Sequence, residues 1–202
     1  MAKRKQQTIN KGDLKNFRIG LWDLEASGLA ATFGGLFCGT VKELNGPSVT
    51  YRIDQMPTYR REPWDDHDLC IKIRDELETY QLVIGYNSVG WGGRGFDLPF
   101  LNSRLVRHRE RILSPEVKHV DLYMVARNKL KLHSNRLEAL LEHLGTKVRK
   151  TPLKPEDWRR ASAGDKAAMD RIVAHNIPDV VALEEAFLRM IPFLDIRFYV
   201  AR

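Results

Sequence analysis

The chain has 202 residues, 43% of them hydrophobic and 29% charged, with a formal net charge of +7. That length can bury one substantial core, and no Pro/Gly/Ser-rich linker divides it into comparable halves, so one domain is expected. No apolar run approaches the roughly 20 residues of a membrane-spanning helix. The amino terminus MAKRKQQTINKG carries charge without an apolar segment behind it, so the expectation is a cytoplasmic protein with neither a membrane span nor a secretory signal.

Lys3, Arg4, Lys5 and Lys11 fall in a stretch without acids, which reads as a basic disordered tail over 1–12 ahead of a single domain over 13–202. Elsewhere Arg104, Arg107, Arg109 and Arg111 have only Glu110 as a neighbouring acid, and Arg127, Lys129, Lys131 and Arg136 have none between them. Solvated helix faces and a phosphate-binding surface both fit this clustering, so charge permits a nucleic-acid partner without requiring one. Cys38 and Cys70 lie far apart without CxxC spacing; neither a zinc knuckle nor a disulfide framework is expected, and both should be reduced and buried.

In chain order, FRIGLWD (17–23) reads as a strand ending in acids, followed by a glycine-containing break. LFCGTVKEL and SVTYRIDQM flank the turn signal Asn45-Gly46-Pro47, so the first three strands form an antiparallel meander. Asp65 and Asp66 suit the first turn of a helix whose Leu69, Ile73 and Leu77 make an apolar stripe. A strand over 81–86 follows, then a glycine-rich loop, a helix over 98–111 and a strand over 117–123. Asn135 and Glu138 read as a capping box for a helix that stops at Gly145. KPEDWRRA, with Trp158, reads as a loop over the core. Ser162 and Asp165 offer a second box opening a last helix that runs to about Met190, where Pro192 closes it. Strands joined partly by hairpins and partly by helical crossovers require a mixed sheet.

Asp23 and Glu25, at i and i+2 on a strand, project from one face. Two adjacent carboxylates repel unless they are exposed or neutralised, and a divalent cation neutralises both. Asp97 lies in Phe96-Asp97-Leu98-Pro99 at a helix start, where it is either a site acid or an N-cap. Asp179 follows His175 by four residues in HNIPDVVALEEAFL. On a continuous helix the two share a face, and the alternative for Asp179 is a solvated helix acid.

These residues resemble the motifs of the DEDD-type 3′-to-5′ exonucleases, which include proofreading domains and single-domain relatives. Asp23-Leu24-Glu25-Ala26-Ser27-Gly28 looks like the first motif, Asn87 with Phe96-Asp97 like the second, and His175 with Asp179 like the third. The resemblance covers most of the chain. It implies a ribonuclease-H-like α/β fold with a mixed five-stranded sheet, three antiparallel meander strands plus two parallel ones, flanked by helices. It also implies a nuclease using two Mg2+ or Mn2+ ions, about 4 Å apart, to clamp the attacking and leaving oxygens of a phosphodiester. Asp23 would serve both ions, Glu25 and Asp179 one of them, and Asp97 the other or the surrounding shell. His175 would be the general base, Phe96 would stack on the terminal base, and Asn87 would bond the strand's backbone.

Three features depart from the family pattern. His175 stands four residues before Asp179, the spacing of the tyrosine subclass rather than the histidine one, and a helix-packing histidine is the alternative. Pro178 removes a backbone donor and should kink or restart the helix. SVGWGGRG lengthens the loop between Asn87 and Phe96, with Trp91 read as a base-stacking side chain and Arg94 as a phosphate contact, or both as parts of a surface loop. Gly90, Gly92 and Gly95 fit GxGxxG, but the loop is not on the first strand and no acid follows at the required distance, so a dinucleotide site is not expected. Asp121 reads as the end of the fifth strand and cap of the next helix. His67, His108, His119, His133 and His143 lack the spacing of a zinc site. The expected activity is trimming of single-stranded DNA or RNA; the alternatives are a nucleic-acid-binding module of the same fold without turnover, and a structure-specific endonuclease.

Overall fold

A computed structural model describes residues 17–146 and 153–194. The basic tail expected over 1–12 lies outside them. Five strands form one sheet: β1 (Ile19–Ala26), β2 (Leu36–Glu43), β3 (Ser48–Arg52), β4 (Leu82–Gly85) and β5 (Lys118–Asp121). Their order across the sheet is β3-β2-β1-β4-β5. β1, β2 and β3 pair antiparallel, and β1, β4 and β5 pair parallel, the mixed arrangement that the order of elements requires. The turn between β2 and β3 is where expected, with Asn45 at φ 59° and the Gly46 N–H donating to the Glu43 carbonyl at 2.9 Å.

β1 runs three residues further than the apolar pattern indicates, through Asp23 and Glu25 to Ala26. Asp23 pairs with Thr40 and Glu25 with Cys38, and the register shifts between Glu25 and Ala26. Pairing with β2 therefore keeps both acids on a regular strand, and the irregularity beside Glu25 twists its end. β1 also outruns β4, whose pairing with it stops at Leu21 and Ile84.

Among the described residues six α-helices flank the sheet: α1 (His67–Leu77), α2 (Asp97–Arg107), α3 (Leu122–Lys129), α4 (Leu137–His143), α5 (Pro155–Ser162) and α6 (Lys166–Met190). Trp22 and Leu24 pack with Leu69, Ile73 and Leu77 of α1 and Phe100 and Leu101 of α2. On the alternate positions of β1, Ile19 and Leu21 pack with Val180, Leu183 and Phe187 of α6. Asp23 and Glu25 continue the row of Leu21, so they face α6. Cys38 and Cys70 are buried free thiols, as expected.

The helix boundaries bring four corrections. α4 has Arg136 as N-cap with no side-chain cap. With Arg136 at the N-cap position the Asn135/Glu138 box does not form, and the Asn135 backbone carbonyl accepts from the Tyr86 hydroxyl at 2.7 Å. At α6, Asp165 alone caps by accepting from the Ala168 N–H at 3.0 Å, while Ser162 is the last residue of α5. The Trp158 segment is this helix α5 and not a loop; Pro155 opens it, and Asp157 accepts the Lys154 N–H at 3.0 Å. Finally, α6 runs unbroken through Pro178. A proline there lacks the N–H that the Ala174 carbonyl would receive, but the apolar rows on both sides of it, Ile172 before and Val180 and Leu183 after, are buried and hold one helix together. Among the described residues no helix is long and apolar enough to cross a membrane.

Candidate metal and nucleic-acid site

The parallel strands β1, β4 and β5 point their carboxyl ends to one edge of the sheet, where ligands of open α/β sheets gather. Asp23 and Glu25 stand on the overhang of β1. Because β4 has ended, the Leu24 N–H meets no strand on that side, and Asp97 accepts it at 3.3 Å. Asp97 is the first residue of α2, whose N-cap is Phe96, and it is 3% exposed; it bonds β1 instead of capping its helix. Burial, together with the negative charges of Asp121 and Glu25, pushes its carboxyl up to about 7 against the pull of backbone hydrogen bonds.

The other side of the site comes from α6. His175 and Asp179 lie one turn apart, and continuity of the helix through Pro178 keeps them on one face. His175 Nε2 is 3.8 Å from Asp179 Oδ2 and 4.0 Å from Glu25 Oε1, too far for hydrogen bonds but within reach of one shared water. Its Nδ1 is buried without a hydrogen-bond partner, so the Nε2 edge is the one that meets the acids. Asp179 is 5% exposed, which removes the alternative of a solvated helix acid. Asp23 and Asp179 line one hollow of about 410 Å³ together with Asn87.

Two residues here escaped the sequence reading. Asn176 is fully buried and donates from Nδ2 to Asp23 Oδ2 at 2.7 Å, while its own Oδ1 has no hydrogen-bond partner. Trp158 donates from Nε1 to Glu25 Oε2 at 3.3 Å. The adjacency of Asn176 to His175 was a usable signal for the first; nothing in the spacing of Trp158 ties it to β1.

Asn87 sits at φ 56°, exposed at the mouth of the hollow. Asp121 holds that conformation. It ends β5 and caps α3 through the Tyr123 N–H at 3.0 Å, as expected, and also accepts from the N–H groups of Asn87 (2.8 Å), Val89 (3.0 Å) and Gly90 (2.7 Å). The inserted loop closes on itself, with Gly95 N–H donating to the Val89 carbonyl at 2.8 Å and Phe96 N–H to the Asn87 carbonyl at 2.7 Å. A Cβ on Gly90 would lie 2.2 Å from the Gly95 nitrogen, so glycine at 90 lets the two arms touch. Arg94 is exposed at the loop tip; the side chain of Trp91 lies outside the described residues. Phe96 is half-buried, its ring 5.2 Å from that of Phe100.

Among the described residues one group of potential metal-binding side chains has all its ligand atoms within 4.8 Å of one another: Asp66, Cys70 and His108. It is a different place from the carboxylates above and is already satisfied. Asp66 takes hydrogen bonds from Arg104 Nη2 and His108 Nε2 at 2.7 Å each and from the Leu36 N–H at 2.8 Å. Burial pushes the Asp66 carboxyl up, but these bonds outweigh it and hold the group below its usual range. Burial also raises the Cys70 thiol well above its usual value, so it stays protonated. A guanidinium occupies the position a cation would need.

A search of the curated proteins finds no match to the chain. Among solved structures, the fold is similar to a family B DNA polymerase from the hyperthermophilic archaeon Pyrobaculum calidifontis, with a TM-score of 0.65 and 16% sequence identity. The match covers 92% of this chain and 27% of the polymerase, so this chain spans about a quarter of that protein's length. A family model described as the RNase H superfamily matches residues 21–190, a stretch that contains both acids of β1, the α2 acid and all of the described fold except its two ends. The five-stranded mixed sheet and the sequence match agree, and the chain belongs to the RNase H superfamily.

Proposed function

We propose that the chain is a metal-dependent 3′-to-5′ exonuclease acting on single-stranded DNA or RNA. The observation that carries the reading is the meeting of β1 and α6, which brings Glu25 and Asp179 to the same histidine nitrogen and ties Asp23 to the adjacent Asn176.

The donor set fits divalent cations. Asp23, Glu25, Asp97 and Asp179 offer carboxylate oxygens, the ligands magnesium and manganese favour. Burial, with a smaller push from Asp121 and Glu25, raises the Asp97 carboxyl, and a bound cation would favour its ionised form. These four residues would hold the ions. When bound, such ions supply positive charge against the phosphodiester and ease the ionisation of water.

The remaining work belongs to the chain. Asn176 and Trp158 are neutral donors that fix the rotamers of Asp23 and Glu25 without cancelling their charge. His175 Nε2 faces the acids at water-bridging distance, placed to take a proton from an attacking water. Asn87, pinned by Asp121, is positioned at the mouth to bond the strand's terminal nucleotide, and the exposed Arg94 can meet a phosphate. Polarity and strand preference come from the resemblance in the three motifs.

The test uses purified protein, manganese and 5′-labelled single strands of DNA and RNA. The expected result is a ladder of products shortened from the 3′ end, abolished by Asp23→Asn. Binding of either strand without hydrolysis would overturn the enzyme reading in favour of a binding module. Internal cuts in an end-labelled hairpin would identify an endonuclease.

A further inference from the structure

A groove runs from the end of β1 towards the start of α1. It consists of adjoining hollows of about 350 and 610 Å³ that share Trp64, Arg104 and Arg107 as a common wall. The first opens at Ser27 and Ser162. Ser27 lies two residues beyond Glu25, and Ser162 one helical turn beyond Trp158, whose indole touches Glu25. The groove therefore begins near Glu25.

Two aromatic rings line it in solvent, Phe33 at 94% exposure and Trp64 at 51%. Phe33 is not on a loose segment. The Ser27 N–H donates to the Gly35 carbonyl and the Gly35 N–H to Ser27 Oγ, both at 2.9 Å. Phe33 and Gly34 N–H groups both donate to the Ala30 carbonyl, and Arg104 Nη1 donates to the Ala31 carbonyl at 3.0 Å. Arg104 is itself fixed by Asp66, so the buried Asp66–Arg104 pair braces the loop that displays the ring. A ring held out on a fixed loop is organised in advance for contact.

The charges select the kind of partner. Arg61 and Arg107 line the groove, are exposed, and make no ion pair among the described residues. Of the two acids beside them, Asp65 already accepts the His67 N–H at 3.0 Å and Glu62 is exposed. Aromatic rings interleaved with unpaired guanidinium groups are the chemistry that binds single strands, bases on the rings and phosphates on the cations.

We propose that this groove is an auxiliary track for single-stranded nucleic acid, in which Phe33 and Trp64 stack on bases and Arg61 and Arg107 meet phosphates, upstream of the end held at the carboxylates. Only the direction of the strand rests on the nuclease reading; the binding surface does not.

The test is anisotropy of labelled oligothymidylate and oligouridylate, each of about 16 nucleotides, titrated with the full chain in EDTA, where turnover is absent. Wild type binds at least one of them. Phe33→Ala with Trp64→Ala weakens that binding by roughly thirtyfold or more, and Trp64→Phe, which keeps a ring, retains most of it. Arg61→Glu with Arg107→Glu weakens it and flattens its salt dependence. Ile112→Ala, which trims an exposed apolar side chain outside the groove, leaves it unchanged. Variants that bind as wild type does, or a wild type that binds neither strand, overturn the proposal. Hydrolysis with manganese is read separately: trimming by a protein whose groove variants bind normally refutes the track alone, while groove-dependent binding without trimming supports the track and refutes the nuclease.

Discussion

The side-chain amide of Asn176 donates to the carboxylate of Asp23 across 2.7 Å, joining the last helix to the first strand at the centre of the site. Partners that orient a ligand residue typically contribute about 10- to 100-fold in activity or metal affinity. On the proposed nuclease reading, in which Asp23 holds metal, Asn176→Leu is therefore expected to lower kcat by that range with the fold intact. The check is single-turnover hydrolysis alongside manganese affinity by calorimetry. Wild-type values in both would show that Asp23 needs no orienting partner.

Asp121 acts on the site through the backbone it holds. Its Oδ1 takes the N–H groups of Asn87 and Tyr123, and its Oδ2 those of Val89 and Gly90. Asp121→Asn turns one of those oxygens into a donor facing donors, so stability should fall by about 2–4 kcal/mol. Amide exchange at Val89 and Gly90 should accelerate. Urea unfolding and hydrogen exchange measure the two effects, and an unchanged exchange rate would mean the loop is held by its own backbone bonds.

The buried pair of Asp66 and Arg104 tests the brace. Removing one partner leaves the other charge buried, a loss of about 3–5 kcal/mol, so Arg104→Met is expected to lower the urea midpoint sharply. Asp66→Leu combined with Arg104→Met should recover part of it. Because the Asp66 carboxyl is held below its usual range in the folded chain, its contribution is complete above the unfolded pKa, about 3.9, and disappears as pH falls through the folded value.

His119 predicts an acid sensitivity at higher pH. Burial lowers its pKa from 6.5 to about 4, partly offset by Asp121, and its Nδ1 is buried without a partner. Above 6.5 the ring is neutral folded or unfolded. Between 6.5 and 4 the unfolded chain takes up a proton that the folded chain refuses, so stability falls with pH, by roughly 3 kcal/mol in all. His119→Phe keeps a ring beside Trp22, whose centroid lies 6.5 Å away. It should flatten this part of the pH profile; an identical slope in both proteins would falsify the assignment.

The fold was legible because its signals are local. The Asn45-Gly46 turn and the Leu69-Ile73-Leu77 stripe each follow from backbone geometry at one place, and each appears where it was read, while the apolar run of β1 marked the strand but fell three residues short of its end. Capping was harder to read. Asn135 and Glu138 have the right residue types, but the helix starts one residue later, with Arg136 as its N-cap. Pro178 likewise misled, because helix propensity weighs one missing N–H and tertiary packing weighs the buried rows on both sides of it. In the sequence Arg104 and Arg111 have only Glu110 as a neighbouring acid, yet Arg104 pairs with Asp66 and Arg111 with Glu78.

For the site, the sequence by itself determined which residues carry charge and which strand or helix face each occupies: Asp23 with Glu25 on β1, His175 with Asp179 one turn apart. Those relations span at most four residues and depend only on the repeat of the backbone. Tertiary structure decided what those faces meet. It set Asn176 against Asp23, Trp158 against Glu25 and Asp97 against the Leu24 N–H, each across more than 70 positions of chain. Contacts of that kind are fixed by where β4 stops and by which row of α6 is buried, properties of the packed core that no short window of sequence contains.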